Sequence, residues 1–222
     1  RRRRKCSSPA AGGARLIGLA ALLLLGALLI GRRSLWPGWW AVPVLAGLVA
    51  ARLWALPVFT RHQYDGHEAD HLSWFLEAVP PGAADTLHYP LMQEWWWLCG
   101  VLLPADPRLP LILSAMIGAL GVAALAGSIG LLAGRCAGVA ALLVVGLHPE
   151  HIAWSSSAYN VVLPNTLAAL GLLGVSLGLK QPEARWPLVL SAASLALASV
   201  GRLELIVAAL PCGMLALSGA GS

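Results

Sequence analysis

Histidines and carboxylates gather in one stretch, residues 61–90, RHQYDGHEADHLSWFLEAVPPGAADTLHYP. It holds His62, His67, His71 and His88, four of the six histidines. It also holds Asp65, Glu68, Asp70, Glu77 and Asp85, five of the ten acidic residues. The first chemistry such a set suggests is proton abstraction. A carboxylate turned into an apolar surface is partly desolvated, which raises its basicity and suits it to activate a hydroxyl or an amine. Read as a helix from Asp65 to Leu76 at about 100° per residue, Asp65, Glu68, Ala69, Leu72 and Leu76 fall on one side. His67, Asp70, His71 and Trp74 fall on the other. Asp65 and Glu68 are therefore the candidate catalytic residues, on the face expected to pack inward. The same spacing also reads as a helix start, with Asp65 as N-cap and Glu68 completing a capping box. One carboxylate can cap and react.

Metal binding is the second possibility. Residues 67–71 spell HExxH, which on a helix sets His67 and His71 one turn apart for zinc, with the glutamate as base. The charged Asp70 inside the pattern is unusual for a zinc protease, and no third ligand follows. More loosely, His62, Asp65, His67, Glu68 and Asp70 offer oxygens and imidazoles to a divalent cation. The simpler reading is a solvated loop of mixed charge. No cofactor is demanded by the sequence, and a divalent metal is the open alternative. Further along, His88-Tyr89-Pro90 precedes a tryptophan-rich segment at which a lipid phosphate would arrive. A polar residue before a proline-started helix explains it equally well. Arg202 and Glu204 stand at a joint between apolar segments, where ionisable groups are costly and often functional. Arg202 is a candidate phosphate contact, unless both residues simply reach water.

The elements that would position these groups are apolar. The chain has 222 residues, 58% hydrophobic and only 11% charged, with a mean hydropathy of +0.74. Soluble domains carry about 25% charged residues. Runs that approach or meet the roughly 20 residues needed to cross a hydrocarbon core recur along the chain. Strand-like alternation is missing, which argues against a membrane barrel. The expected fold is all-α, a polytopic transmembrane helix bundle with an outer loop carrying juxtamembrane helices. The formal charge of +5 does not indicate nucleic-acid binding, because five of the fifteen basic residues are Arg1 to Lys5. Cys6, Cys99, Cys136 and Cys212 are scattered without a CxxC, so neither a zinc ribbon nor a disulfide framework is expected.

Taken in order, residues 1–15 form a basic arm expected to be disordered, and residues 16–60 hold the N-terminal transmembrane helices. The first of these is a short apolar run without a signal-cleavage pattern. The second is expected from Trp36 to about Phe59, with Pro57 ending or bending it and Arg52 snorkelling toward the polar stretch. Residues 61–108 are the outer loop. Within it, LMQEWWWLCGVLL (91–103) is too short to span and suits a helix at the interface. Residues 109–222 form the remaining bundle: spans over 109–134, from 137 to about 152, over 161–178 and from 186 to about 199, and a further apolar segment at 203–217. Gly118, Gly121, Ala124 and Gly127 favour close packing of the first of these. The turns holding Arg32 and Arg33, Arg135, and Lys180 and Arg185 are the basic ones, so they are expected in the cytoplasm. That leaves the polar stretch and the WSSSAYN loop (154–160) together on the outer face, although it also places Arg1 to Lys5 outside. The chain begins with Arg and ends in a small-residue run after an apolar segment, which reads as a fragment of something longer.

The order of these features resembles a known group. It comprises Ala-Arg-Leu-Trp (51–54) closing a helix, Asp-x-x-Glu-Ala (65–69) in an outer loop, and His-x-Pro (88–90) before an interfacial helix. There follow Arg-Leu-Pro (108–110) opening a span, Ala-Gly-Arg-x-Ala-Gly (133–138) at a turn, and His-Pro (148–149) before a serine-rich loop. From about Val42 to Leu210 the chain looks like the N-terminal portion of a GT-C-fold glycosyltransferase, of the protein mannosyltransferase and aminoarabinose transferase type. The resemblance rests on order and topology rather than on any one motif. It implies an enzyme of the plasma (inner) membrane that takes a sugar from a polyprenyl-phosphate carrier and transfers it to an acceptor on the outer, periplasmic face. The family's first outer loop supplies an acidic catalytic residue, usually in an Asp-Glu pair. Here His67 stands where the Asp of that pair would be, so the base is Asp65 by carboxylate chemistry or Glu68 by register. His88 and Arg202, with Tyr89 between His88 and Pro90, would hold the carrier phosphate. The implied partners are the lipid-linked donor and membrane lipids. The alternatives are a non-catalytic membrane protein with the same bundle, either a transporter or an assembly subunit, and, less favoured, an HExxH membrane metalloprotease.

Overall fold

The computed structural model describes residues 41–59, 66–80, 90–156, 161–202, 205 and 207; for residues 41, 42, 45, 55–59, 66–70 and 90 it describes the helical backbone alone. These residues form eight helices: α1 (Ala41–Phe59), α2 (Gly66–Leu76), α3 (Pro90–Leu102), α4 (Arg108–Ala133), α5 (Arg135–Gly146), α6 (Pro149–Ser155), α7 (Val162–Lys180) and α8 (Trp186–Gly201). The protein is all-α over the described residues. Two helices, α4 and α7, are long and apolar enough to cross a membrane, and α5 with α6 makes a third if the bent pair is one span. These helices mark a membrane protein.

Helix α4 is the hub, packing against α1, α5, α6 and α7. Its start is set by Asp106, whose Oδ1 accepts the backbone N–H of Arg108 at 2.9 Å. That bond satisfies one of the donors left free in a first turn. Its end is set by Gly134, whose φ of 94° lies in the left-handed region that glycine enters without strain. Gly134 donates its N–H to the Gly130 carbonyl at 3.1 Å, and the chain turns straight into α5. Near this corner α4 and α5 cross closely: a Cβ on Gly138 would stand 2.9 Å from the Cα of Gly130.

The seam between α4 and α7 is lined by small and hydroxylated residues. Thr166 Oγ1 donates to the Ile117 carbonyl at 2.9 Å. Ser128 and Ser176 share a 2.6 Å hydrogen bond, and Ser176 also donates to Leu172 within its own helix. Ala124, Ala169, Leu173 and Leu177 fill the space between these contacts. Lipid tails are as apolar as leucine, so such seams hold by close packing and by hydroxyls that find carbonyls, not by expulsion of water. The pairing of Ile117 with Thr166 and of Ser128 with Ser176 runs in the same sense along both helices. Helices α4 and α7 are therefore parallel, and the turns holding Arg135, Lys180 and Arg185 lie at one end of the bundle. That agreement was expected from the basic residues alone. At the other end lie the start of α4, helix α6 and the start of α7. The end of α8 joins them, because a Cβ on Gly201 would meet Pro164 at 2.6 Å.

Two expectations about the spans change. The segment from 137 to about 152 is not one straight crossing. Pro149 forces the preceding His148 into an extended conformation (φ −63°, ψ 124°), so α5 stops at Gly146 and α6 leaves at 66°. Helix α8, at 16 residues, extends about 24 Å at 1.5 Å per residue, less than a hydrocarbon core of about 30 Å. Pro57, expected to end or bend its helix, lies inside α1, which ends two residues later at Phe59.

Helices α2 and α3 cover the polar end. Phe75 and Trp96 meet edge to face, with ring centroids 6.4 Å apart. Together with Trp74, Met92, Cys99, Leu109 and Leu113 they make one buried cluster that ties both short helices to the start of α4. Gly100 allows this approach, since a Cβ there would run into the carbonyl oxygen of Phe75. As expected, 91–103 forms a helix too short to span.

Candidate functional site

The helix expected from Asp65 to Leu76 is present as α2, but its inward face differs from the one expected. His71, Trp74 and Phe75 are buried, whereas Leu72 and Leu76 are half-buried. His71 stacks obliquely on Trp74, with centroids 4.9 Å apart. The aromatic surface of α3 decides the matter: two rings and an imidazole cover more of it than two leucines would. Over residues 71–76 the side of α2 that holds Leu72 and Leu76 is thus the less buried one. Asp65, His88 and Tyr89 lie outside the described residues, and so do the side chains of His67 and Glu68. Among the described residues no group of three or more His, Cys, Asp or Glu side chains could hold a metal.

Arg202 is described. It closes α8, half-buried, with its backbone N–H donating to the Ala198 carbonyl at 2.8 Å. Its neighbour Gly201 abuts Leu91, where a Cβ would come within 2.9 Å of the leucine side chain. The fold thus brings Arg202 to the start of α3, three residues after His88 in the chain.

The polar constellation the structure does assemble lies elsewhere, where α1 meets α6. Arg52, expected to snorkel, is fully buried (0% exposed). Its Nε donates to Ser155 Oγ at 2.9 Å, one terminal nitrogen donates to the Leu48 carbonyl at 2.8 Å, and the other lies 3.1 Å from His151 Nδ1. Ser156 Oγ returns a bond to the Arg52 carbonyl at 3.2 Å, and Ser155 Oγ donates to the His151 carbonyl at 2.6 Å. A guanidinium has donors only, so Nδ1 of His151 must accept. The neutral ring therefore carries its proton on Nε2. Every partner of Arg52 among the described residues is neutral, so the groups seen to solvate its positive charge there are dipoles. Gly118 admits Ser155 to this place, because a Cβ there would collide with the serine side chain.

A partly open cavity of about 210 Å³ borders this node, between α4, α5, α6 and α7. It follows from the bend at Pro149: α6 leaves the line of α5, and the space beside α4 is not filled. His151, Trp154, Ser155, Asn165 and Thr166 are its polar lining residues, and Val122, Leu125, Val145 and Ala169 are among the apolar ones.

Two signals in the sequence pointed to this node without being joined. Arginine at position 52 interrupts an apolar run, and His151 and Ser155 are four residues apart, one above the other on a helix. Nothing local says that the 52 and 151–156 segments meet. Comparison with protein-family models, with curated proteins and with solved structures finds no match for this chain.

Proposed function

We propose that this chain is an integral-membrane glycosyltransferase of the GT-C type. In this reading it moves a sugar from a polyprenyl-phosphate carrier to an acceptor at the outer face of the plasma (inner) membrane. The observation that carries the reading is the meeting of Gly201 with Leu91. It sets Arg202 beside the start of α3, the helix that His88 and Tyr89 directly precede in the chain. A carrier phosphate needs such a cation, and its chain needs an apolar surface like the one α3 offers through Leu98, Val101 and Leu102. Asp65 or Glu68, from the loop leading into α2 or from α2 itself, is the base that deprotonates the acceptor. The location of the basic turns at the opposite end supports an outward-facing site by the positive-inside rule.

The test is transfer itself. Protein carrying Asp65→Asn or Glu68→Gln, reconstituted with a panel of polyprenyl-phosphate sugars, is expected to lose at least about a hundredfold in transfer rate in one of the two variants, the scale of a general base. Wild-type rates in both would remove the catalytic assignment. Arg202→Ala is expected to weaken donor binding more than it slows turnover of bound donor. Bound zinc in purified protein would instead favour the HExxH metalloprotease reading.

A further inference from the structure

The cavity between α4, α5, α6 and α7 is uneven in chemistry along its length. At the level of Gly118 and Gly121 it is bordered by His151, Ser155 and Thr166; further along α4 and α7 it is bordered by Leu125 and Ala169. Ser155 and Thr166 direct their hydroxyl protons to backbone carbonyls. His151 is different. Arg52 fixes its Nδ1 as an acceptor, so the proton sits on Nε2, and no described residue accepts a hydrogen bond from that N–H. Behind the ring lies the buried Arg52 charge, with no carboxylate against it among the described residues. The charged and titratable neighbours on the same segment are His148 and Glu150, both exposed to solvent.

A donor with no acceptor among the described residues, a buried positive charge whose described partners are all neutral, and an apolar lining further along describe one kind of guest. We propose that this cavity binds a single-chain amphiphile with an anionic head, a carboxylate or a phosphate. The head accepts the Nε2–H of His151, and the chain lies along α4 and α7 toward Leu125 and Ala169. The volume, about seven water volumes at roughly 30 Å³ each, takes a head group and the first part of a chain. The proposal does not depend on sugar transfer, because it concerns binding at a cavity that holds none of the residues assigned to that reaction.

The experiment measures saturable binding of radiolabelled dodecyl phosphate and dodecanoate to the full chain in phosphatidylcholine nanodiscs, with empty discs subtracted. Dodecanol and inorganic phosphate serve as competitors. Both anionic probes are expected to bind, with dodecanol at least about tenfold weaker and inorganic phosphate a poor competitor, as a charge-assisted hydrogen bond plus an apolar channel require. His151→Asn, whose side-chain oxygen can replace Nδ1 as acceptor for Arg52, is expected to weaken the anionic probes about tenfold and leave dodecanol unchanged. Leu125→Trp fills the channel and is expected to abolish binding of both probes. Absence of saturable binding, equal affinity for dodecanol, equal displacement by inorganic phosphate, or unaltered affinity in His151→Asn would each overturn the proposal.

Discussion

The two ends of this bundle treat charge in opposite ways. At the end where α4 turns into α5 and α7 turns toward α8, Arg135, Lys180 and Arg185 are all exposed. At the other end Arg52 is withdrawn completely and bonded to a serine, a histidine and a carbonyl. The first end needs no partners, because water or lipid head groups solvate its cations. The second has to supply solvation from the protein, and it does so with α6, a seven-residue helix that exists because Pro149 breaks the chain. The difference teaches that the basic end is a boundary, while the polar end is built.

The largest effect should separate two cysteines. Cys136 is exposed in the basic turn; Cys99 is buried under α2, where burial pushes its thiol up to about 12. The thiolate is the reactive form, so Cys99, which burial keeps protonated, is slowed by chemistry as well as by cover. In a Cys6→Ser, Cys212→Ser background, maleimide modification followed by mass spectrometry is expected to find Cys136 reacting on the order of a thousandfold faster. Comparable rates would mean that the cover of α2 and α3 is not closed.

Next come the two arginines. Arg52→Ala removes a buried guanidinium and leaves a void among its former partners, for an expected loss of about 3 kcal/mol. Arg135→Ala should stay within about 0.5 kcal/mol of the parent, as exposed substitutions do. Reversible unfolding in mixed micelles measures both, and equal effects would erase the contrast between the ends. Arg52→Met sharpens it: if the charge serves only architecture, an apolar side chain of similar length should restore most of the stability.

The seam joining the ends gives smaller effects. A Cβ at Gly174 would stand 2.7 Å from the Pro187 carbonyl oxygen and 2.8 Å from the Ser191 nitrogen, both backbone atoms that cannot swing aside. Gly174→Ala is expected to cost about 2 kcal/mol. Ser128→Ala removes the 2.6 Å bond to Ser176, but Ser176 keeps its bond to the Leu172 carbonyl. The expected loss is about 0.6 kcal/mol, the usual size of a hydrogen bond between membrane helices. A larger loss from Ser128→Ala than from Gly174→Ala, in the same unfolding assay, would mean that the hydroxyl pair between α4 and α7 outweighs the close backbone approach of α7 to α8.

Much of this fold was legible because its signals are local. Apolar length marked α4 and α7, Arg135 marked the turn after α4, and the run of tryptophans marked a short helix at the surface. Arg135, Lys180 and Arg185 gave the common end of two helices, since a bilayer sorts cations by side regardless of packing. The candidate chemistry was harder to read. Periodicity put Leu72 and Leu76 inward on α2, because hydropathy ranks leucine above histidine and tryptophan; the partner surface of α3, with Trp96 and Met92, chose His71, Trp74 and Phe75 instead. Likewise the apolar run from 137 to about 152 read as one span, and only the fold showed that Pro149 breaks it and that the broken piece carries Ser155 and His151 to Arg52. Composition and spacing by themselves determined a membrane protein of helices with its basic turns at a common end, since those follow from transfer energies and backbone hydrogen bonding. Which polar groups meet was decided only by tertiary structure, because a contact across roughly a hundred residues depends on how helices cross, and no local pattern encodes that.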